Sequence, residues 1–79
     1  MKFKIVEVEW FDAQSGIGSS IEVDEADDLE PVLTHSVGYL LRKDKEVVVL
    51  GFMLFDYNQT FKHWQMIPRD MVRKIRILK

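Results

Sequence analysis

The stretch MIPRDMVRKIRIL, residues 66–78, decides how this chain folds. Met66 and Ile67 finish an extended run that begins at Thr60, and Pro68 then halts it. Proline has no N–H to give a β-ladder and holds φ at about −65°, so pairing must stop close to Ile67. Residues 69–71, RDM, have the length of a single 3₁₀ turn. From Val72 the alternation resumes, with Ile75 and Ile77 in phase. The stretch therefore predicts two strands joined by one tight turn.

Working outward, VVVLGFMLF (residues 47–55) runs nine residues without a polar side chain. A strand apolar on both faces must be covered on both faces. DYNQ (56–59) is a turn, and TFKHWQMI (60–67) is the strand that follows it. Its alternation puts Lys62, Trp64 and Met66 on one face and Phe61, His63, Gln65 and Ile67 on the other. HSVGYLLRK (35–43) is another strand, with Val37, Tyr39 and Leu41 on one face and Gly38 on the other, where glycine marks a sharp bend. KDKE (43–46) is a charged hairpin turn. Near the start, Val6, Val8 and Trp10 alternate with Glu7 and Glu9, the period of a half-buried strand. Phe3 and Ile5 sit in the opposite phase, so either a bulge shifts the pleat or both faces are covered there. DAQSGIGSS (12–20) is a loop, and IEVDEADDLEPVL (21–33) supports one short helical turn capped by Asp24 and ending before Pro31.

The expectation is an all-β domain spanning residues 1–79: five short strands, a long acidic first loop (12–32) and a 3₁₀ turn before the last strand. Strongly bent strands of this number close most easily into a small barrel. The expected core is Val6, Val8, Val37, Tyr39, Val48, Leu50, Ile67, Val72, Ile75 and Ile77. The long first loop and the strand, proline, 3₁₀ turn, strand link resemble SH3-like barrels over nearly the whole chain. VEWFDA, SVGYLLRKD and IPRDMVRKIRIL, in that order, also resemble a group of small uncharacterised bacteriophage and prophage proteins with a W-x-D opening, an S-V-G-aromatic strand and a terminal I-P-[RK] turn. That resemblance implies origin and fold, and no activity.

Seventy-nine residues bury only about 60–65% of their unfolded surface, and the absence of cysteine excludes disulfides and thiolate zinc sites. Packing or self-association must compensate, and Phe52, Met53 and Leu54 in the apolar run are the expected subunit interface. The N-terminus lacks the continuous apolar core of a signal peptide, and no stretch approaches the roughly 20 apolar residues of a membrane span. The chain thus reads as cytoplasmic, in the host cell if it is phage-encoded, with no membrane partner.

Net charge is −2, but residues 5–41 hold nine acids and no Lys or Arg, while residues 42–79 hold nine basic residues against four acids. The two parts either neutralise each other, within the fold or between subunits, or the basic part meets an anionic partner. The asymmetry favours a head-to-tail oligomer over a two-fold one.

His35 and His63 lack a third ligand at metal spacing. GIGSS (16–20) lacks the Lys and helix of a phosphate-binding loop, and no nucleophile–base arrangement has recognisable spacing. The expectation is a protein that is not an enzyme and needs no cofactor or metal. Arg69 and Arg73 flank the turn after Pro68 and are candidates to bind a small anion, with Trp64 or Tyr57 stacking a base. Alternatively Trp64 is core and the arginines are a solvated edge. The functional expectation is stoichiometric capture of a small anionic ligand such as a nucleotide, in a counter-defence role. The alternatives are a protein–protein adaptor or virion-assembly factor using the acidic loop and a barrel edge against a host or phage protein, and an Sm-like nucleic-acid binder. The acidic half argues against nucleic acid.

Overall fold

The computed structural model describes residues 3–13 and 18–79. Five antiparallel strands form one sheet: β1 (Ile5–Asp12), β2 (Val32–Lys43), β3 (Val47–Phe55), β4 (Thr60–Pro68) and β5 (Val72–Ile77), in the order β4-β3-β2-β1-β5. A four-residue helix, α1 (Val23–Ala26), interrupts the long loop, and one 3₁₀ turn (Arg69–Met71) joins β4 to β5. The two strands and the 3₁₀ turn read from residues 66–78 are therefore present. β4 ends at Pro68, whose register partner is Val47, and the Arg69 N–H donates instead to the Glu46 carbonyl at 2.8 Å.

The core is small: Val6, Val8 and Trp10 from β1, Val48 and Leu50 from β3, and Ile67 from β4, with Leu40, Met71, Val72 and Ile75 packed against it. Burying each aliphatic side chain contributes about 1.5–3 kcal/mol. Helix α1 buries nothing, so the sheet bends over its own core. Two register shifts permit that bend, one at Glu9/Trp10 against β5 and one around Leu41 against β3.

Three expected core residues, Val37, Tyr39 and Ile77, lie outside it. Val37 is 48% exposed and Ile77 60% exposed. The cause is the β1–β2 register, which sets Val8 opposite Ser36 and Val6 opposite Gly38. The even residues of β2 thus face the core, and Val37 and Tyr39 face outward. Trp10 explains this choice, since its buried indole N–H donates to Ser36 Oγ at 3.0 Å, and a buried polar group without a partner is costly. Ile77 lies on edge strand β5. The short helix also differs from expectation: Glu22 occupies its N-cap without a side-chain bond, and Asp24 sits within it.

Phe3 and Ile5 have apolar cover of their own. Ile5 is the register partner of Tyr39 on the outer face. The Phe61 ring lies 5.3 Å from Phe3, edge to face, and 5.6 Å from Tyr39. This second cluster rests on Gly51, where a Cβ would stand 2.5 Å from Phe61 Cδ1 and 3.0 Å from Leu41 Cδ1. Phe61 and Ile67 share sequence parity yet cover opposite faces of the sheet. The break is at His63, whose φ of +64° is left-handed, and the expected grouping of Phe61 with Ile67 fails there. The apolar run in β3 is thus covered on its second face partly by its own chain.

Candidate functional site

The outer face of the sheet divides into two halves. Across β2, β1 and β5 it is ionic. Arg76 Nη2 donates to Glu7 Oε1 at 2.8 Å, and Arg73 Nη1 stands 3.4 Å from Glu9 Oε2. His35 sits between the same two carboxylates, 3.8 Å from each. The register that brings Glu7 opposite Arg76 and Glu9 opposite Lys74 produces this array. His35 and the two arginines are half exposed or more, so each pair contributes about 0–1 kcal/mol. The array neutralises charge that would otherwise attract an anion.

Across β3 and β4 the face is apolar. Trp64 is the register partner of Gly51, and Met66 of Val49. Trp64 is 67% exposed and Met66 53% exposed; Phe52, Met53 and Phe55 are also open to solvent, but Phe52 belongs to the other face, its ring 3.1 Å from where a Gly38 Cβ would stand. Trp64 is therefore not core. Of the expected interface residues, Phe52 and Met53 are exposed and Leu54 is half-buried. Lys62 is the register partner of Met53 and lies beyond the break at His63.

The four expected ligand-binding residues are not brought together. Tyr57 lies in the β3–β4 turn, beside Phe55 with ring centroids 6.5 Å apart. Arg69 lies at the opposite end of nine-residue β4, about 30 Å away at the usual rise of a strand. Trp64 is between them on β4, and the Arg73 guanidinium points to Glu9. Arg69 has one notable atom: Nη1 is buried with no hydrogen-bond partner among the described residues, as is Gln65 Oε1.

Other candidate chemistry is also dispersed. His63 stands on β4 and His35 on β2, with β3 between them. Among the described residues, no group of three or more His, Cys, Asp or Glu is placed to hold a metal ion. Gly16 and Ile17 of GIGSS lie outside the described residues, and Gly18 has φ +83°. No helix among the described residues is long and apolar enough to cross a membrane. The Asp44 carboxylate closes the β2–β3 turn, accepting from the Val47 and Glu46 N–H groups and from Arg42 Nε. Those bonds hold its pKa down at about 2.

The sequence reading offered neutralisation within the fold and apolar cover at Phe3 and Ile5, and both occur; it did not name the pairs, or Tyr39 and Phe61 as the cover. Alternating Glu7 and Glu9 in the first strand, against Arg73, Lys74 and Arg76 in the last, was the available signal for the array. The chain matches no family model, no curated protein and no solved structure.

Proposed function

We propose that this chain is a non-enzymatic binding module, an SH3-like barrel of phage type that acts as a protein–protein adaptor through the apolar half of its outer face. One observation carries the reading: Trp64 and Met66 are exposed together on one face of β4. Large aromatic and methionine side chains at a surface suit a protein interface. The ion pairing of Arg73 and Arg76 favours this over capture of an anion at the same strands. The strand order, the long first loop and the 3₁₀ turn support the barrel, and the three ordered motifs support the phage origin. A photo-crosslinking residue at position 64, in cells that make the protein, should give a discrete protein adduct. The same residue at exposed Lys45, on the far turn, should not. Equal labelling from both positions would sink the adaptor reading.

A small anionic ligand is the second reading, and Arg69 favours it, because a buried guanidinium nitrogen without a partner is suited to an oxyanion. Native mass spectrometry of the purified protein tests this. A bound species lost in Arg69→Ala supports it, and a bare polypeptide mass rejects it.

A further inference from the structure

The two edges of the sheet differ. β4 is broken at the left-handed His63 and ends in Pro68, and both features spoil a free ladder. β5 runs from Val72 to Ile77 without proline, glycine or a left-handed residue. Among the described residues no strand pairs with its outer side.

The bonds at Lys4 and Ile5 reveal which backbone groups that side offers. The Leu40 N–H donates to the Lys4 carbonyl at 2.8 Å, so Lys4 bonds toward β2. The Leu78 N–H donates to the Ile5 carbonyl at 2.8 Å, so Ile5 bonds toward β5. Bonding direction alternates along an antiparallel strand, and Glu7 and Glu9 therefore bond to their register partners Arg76 and Lys74. The N–H and C=O groups of Ile75 and Ile77 are left pointing away from β1, into the open edge.

Side chains define what fits there. Ile75 and Ile77 stand on the core side, beside Val8 and Val6. Val6 is fully buried whereas Ile77 is 60% exposed, so the apolar layer runs out at an uncovered edge. On the outer side Lys74 is exposed and has no ion pair among the described residues, because Arg73 and His35 stand at the carboxylate of its register partner Glu9. A second copy of β5 fits poorly. Antiparallel pairing about Ile75 sets Lys74 opposite Arg76, and pairing about Arg76 sets two arginines opposite each other; like charges so placed destabilise a ladder. β1 shows the pattern that β5 accepts: valine opposite Ile75 and Ile77, glutamate opposite Lys74 and Arg76.

We propose that the free edge of β5 is a strand-addition site for an extended segment of another protein that alternates apolar and acidic side chains. Its apolar residues lie beside Ile75 and Ile77, and a carboxylate lies beside Lys74. Main-chain bonds supply the affinity and the alternate side chains the selection. This surface is separate from the Trp64–Met66 face and does not depend on it.

Amide hydrogen exchange on the full chain, followed by NMR, tests it. The probe is a capped peptide of alternating Val and Glu at about 1 mM, where even weak binding registers. Without the peptide, the Ile75 and Ile77 amides should exchange faster than that of Arg76. With it, both should slow by roughly tenfold while Arg76 is unchanged. A peptide of alternating Val and Lys should have no effect. Ile77→Pro removes an N–H that β1 does not use, so it should keep its circular dichroism spectrum and lose the peptide's protection of Ile75. Lys74→Glu, at an exposed position, should fold as the parent does and prefer the Val-Lys peptide, and it reads the same edge where Ile77→Pro fails to fold. Equal response to the two peptides, or protection of Ile75 and Ile77 without either, overturns the proposal. Peptide-induced shifts at Trp64 and Met66 in place of β5 overturn it too, and leave the adaptor reading standing.

Discussion

Gly51→Ala is the sharpest test of the second cluster. The backbone at Gly51 is not left-handed, so alanine meets no conformational barrier there. Its Cβ would stand 2.5 Å from Phe61 Cδ1 and 2.7 Å from Phe61 Cγ, closer than such atoms approach. Either the Phe61 ring leaves its notch or the β3–β4 ladder shifts. Overpacking of this kind costs about 1–3 kcal/mol. Displacing the ring also weakens its contacts with Phe3 and Tyr39, each pair contributing about 0.5–1.5 kcal/mol. Restricting the unfolded chain returns about 0.4–1 kcal/mol. The net expectation is destabilisation by about 1–3 kcal/mol, which at a urea m-value of about 1 kcal/mol/M lowers the midpoint by about 1–3 M. In a Phe61→Ala background the same change should cost less than half as much, since the obstructing ring is gone. A midpoint that holds or rises in Gly51→Ala alone would refute the notch.

Ser36→Ala should cost about 1–3 kcal/mol by urea denaturation, because it leaves the buried Trp10 N–H without its acceptor. His63→Gly should stabilise by about 0.5–1 kcal/mol and His63→Val should destabilise, since only glycine adopts φ +64° without strain; the reverse order would show that His63 is not left-handed. The Asp44 carboxyl should titrate near pH 2 by NMR rather than near the ordinary 3.8. With its native pKa lowered, its contribution to stability is complete above pH 3.8 and is lost as pH falls through 2; Asp44→Asn should remove that part of the acid dependence. Arg73→Ala and Arg76→Ala should each cost under about 1 kcal/mol, and a larger loss in thermal melts would mark the ionic array as structural.

Most of the strand plan is legible in the sequence because its punctuation is local. Pro68 ends a ladder wherever it stands, and Asp44 closes a turn with its own neighbours. The side of β2 that faces the core is not a local property. Val37, Tyr39 and Leu41 are more apolar than Ser36 and Gly38, yet the core takes the latter face, because the Trp10 indole needs both space and an acceptor across the ladder. The reversal at His63 escapes periodicity for a related reason: one left-handed residue swaps inside for outside with no signature beyond histidine's modest tolerance of that conformation. The candidate site was legible as a composition of aromatics and arginines. It was not legible as a place, because the carboxylates that occupy Arg73 and Arg76 lie some sixty residues earlier in the chain.

The pairing of the first strand with the last has a consequence in time. β2, β3 and β4 are joined by short turns and can zip as neighbouring hairpins, whereas Val6 must wait for Ile77 and Val8 for Ile75. Closing so long a loop is slow relative to hairpin formation. Between those events one side of β1 carries an unpaired ladder, with Val8 and Trp10 still lacking the cover of Val72 and Ile75. A chain emerging residue by residue from the ribosome passes through that half-built sheet every time. It is there, before Arg76 reaches Glu7, that this protein is most open to pairing with the wrong strand.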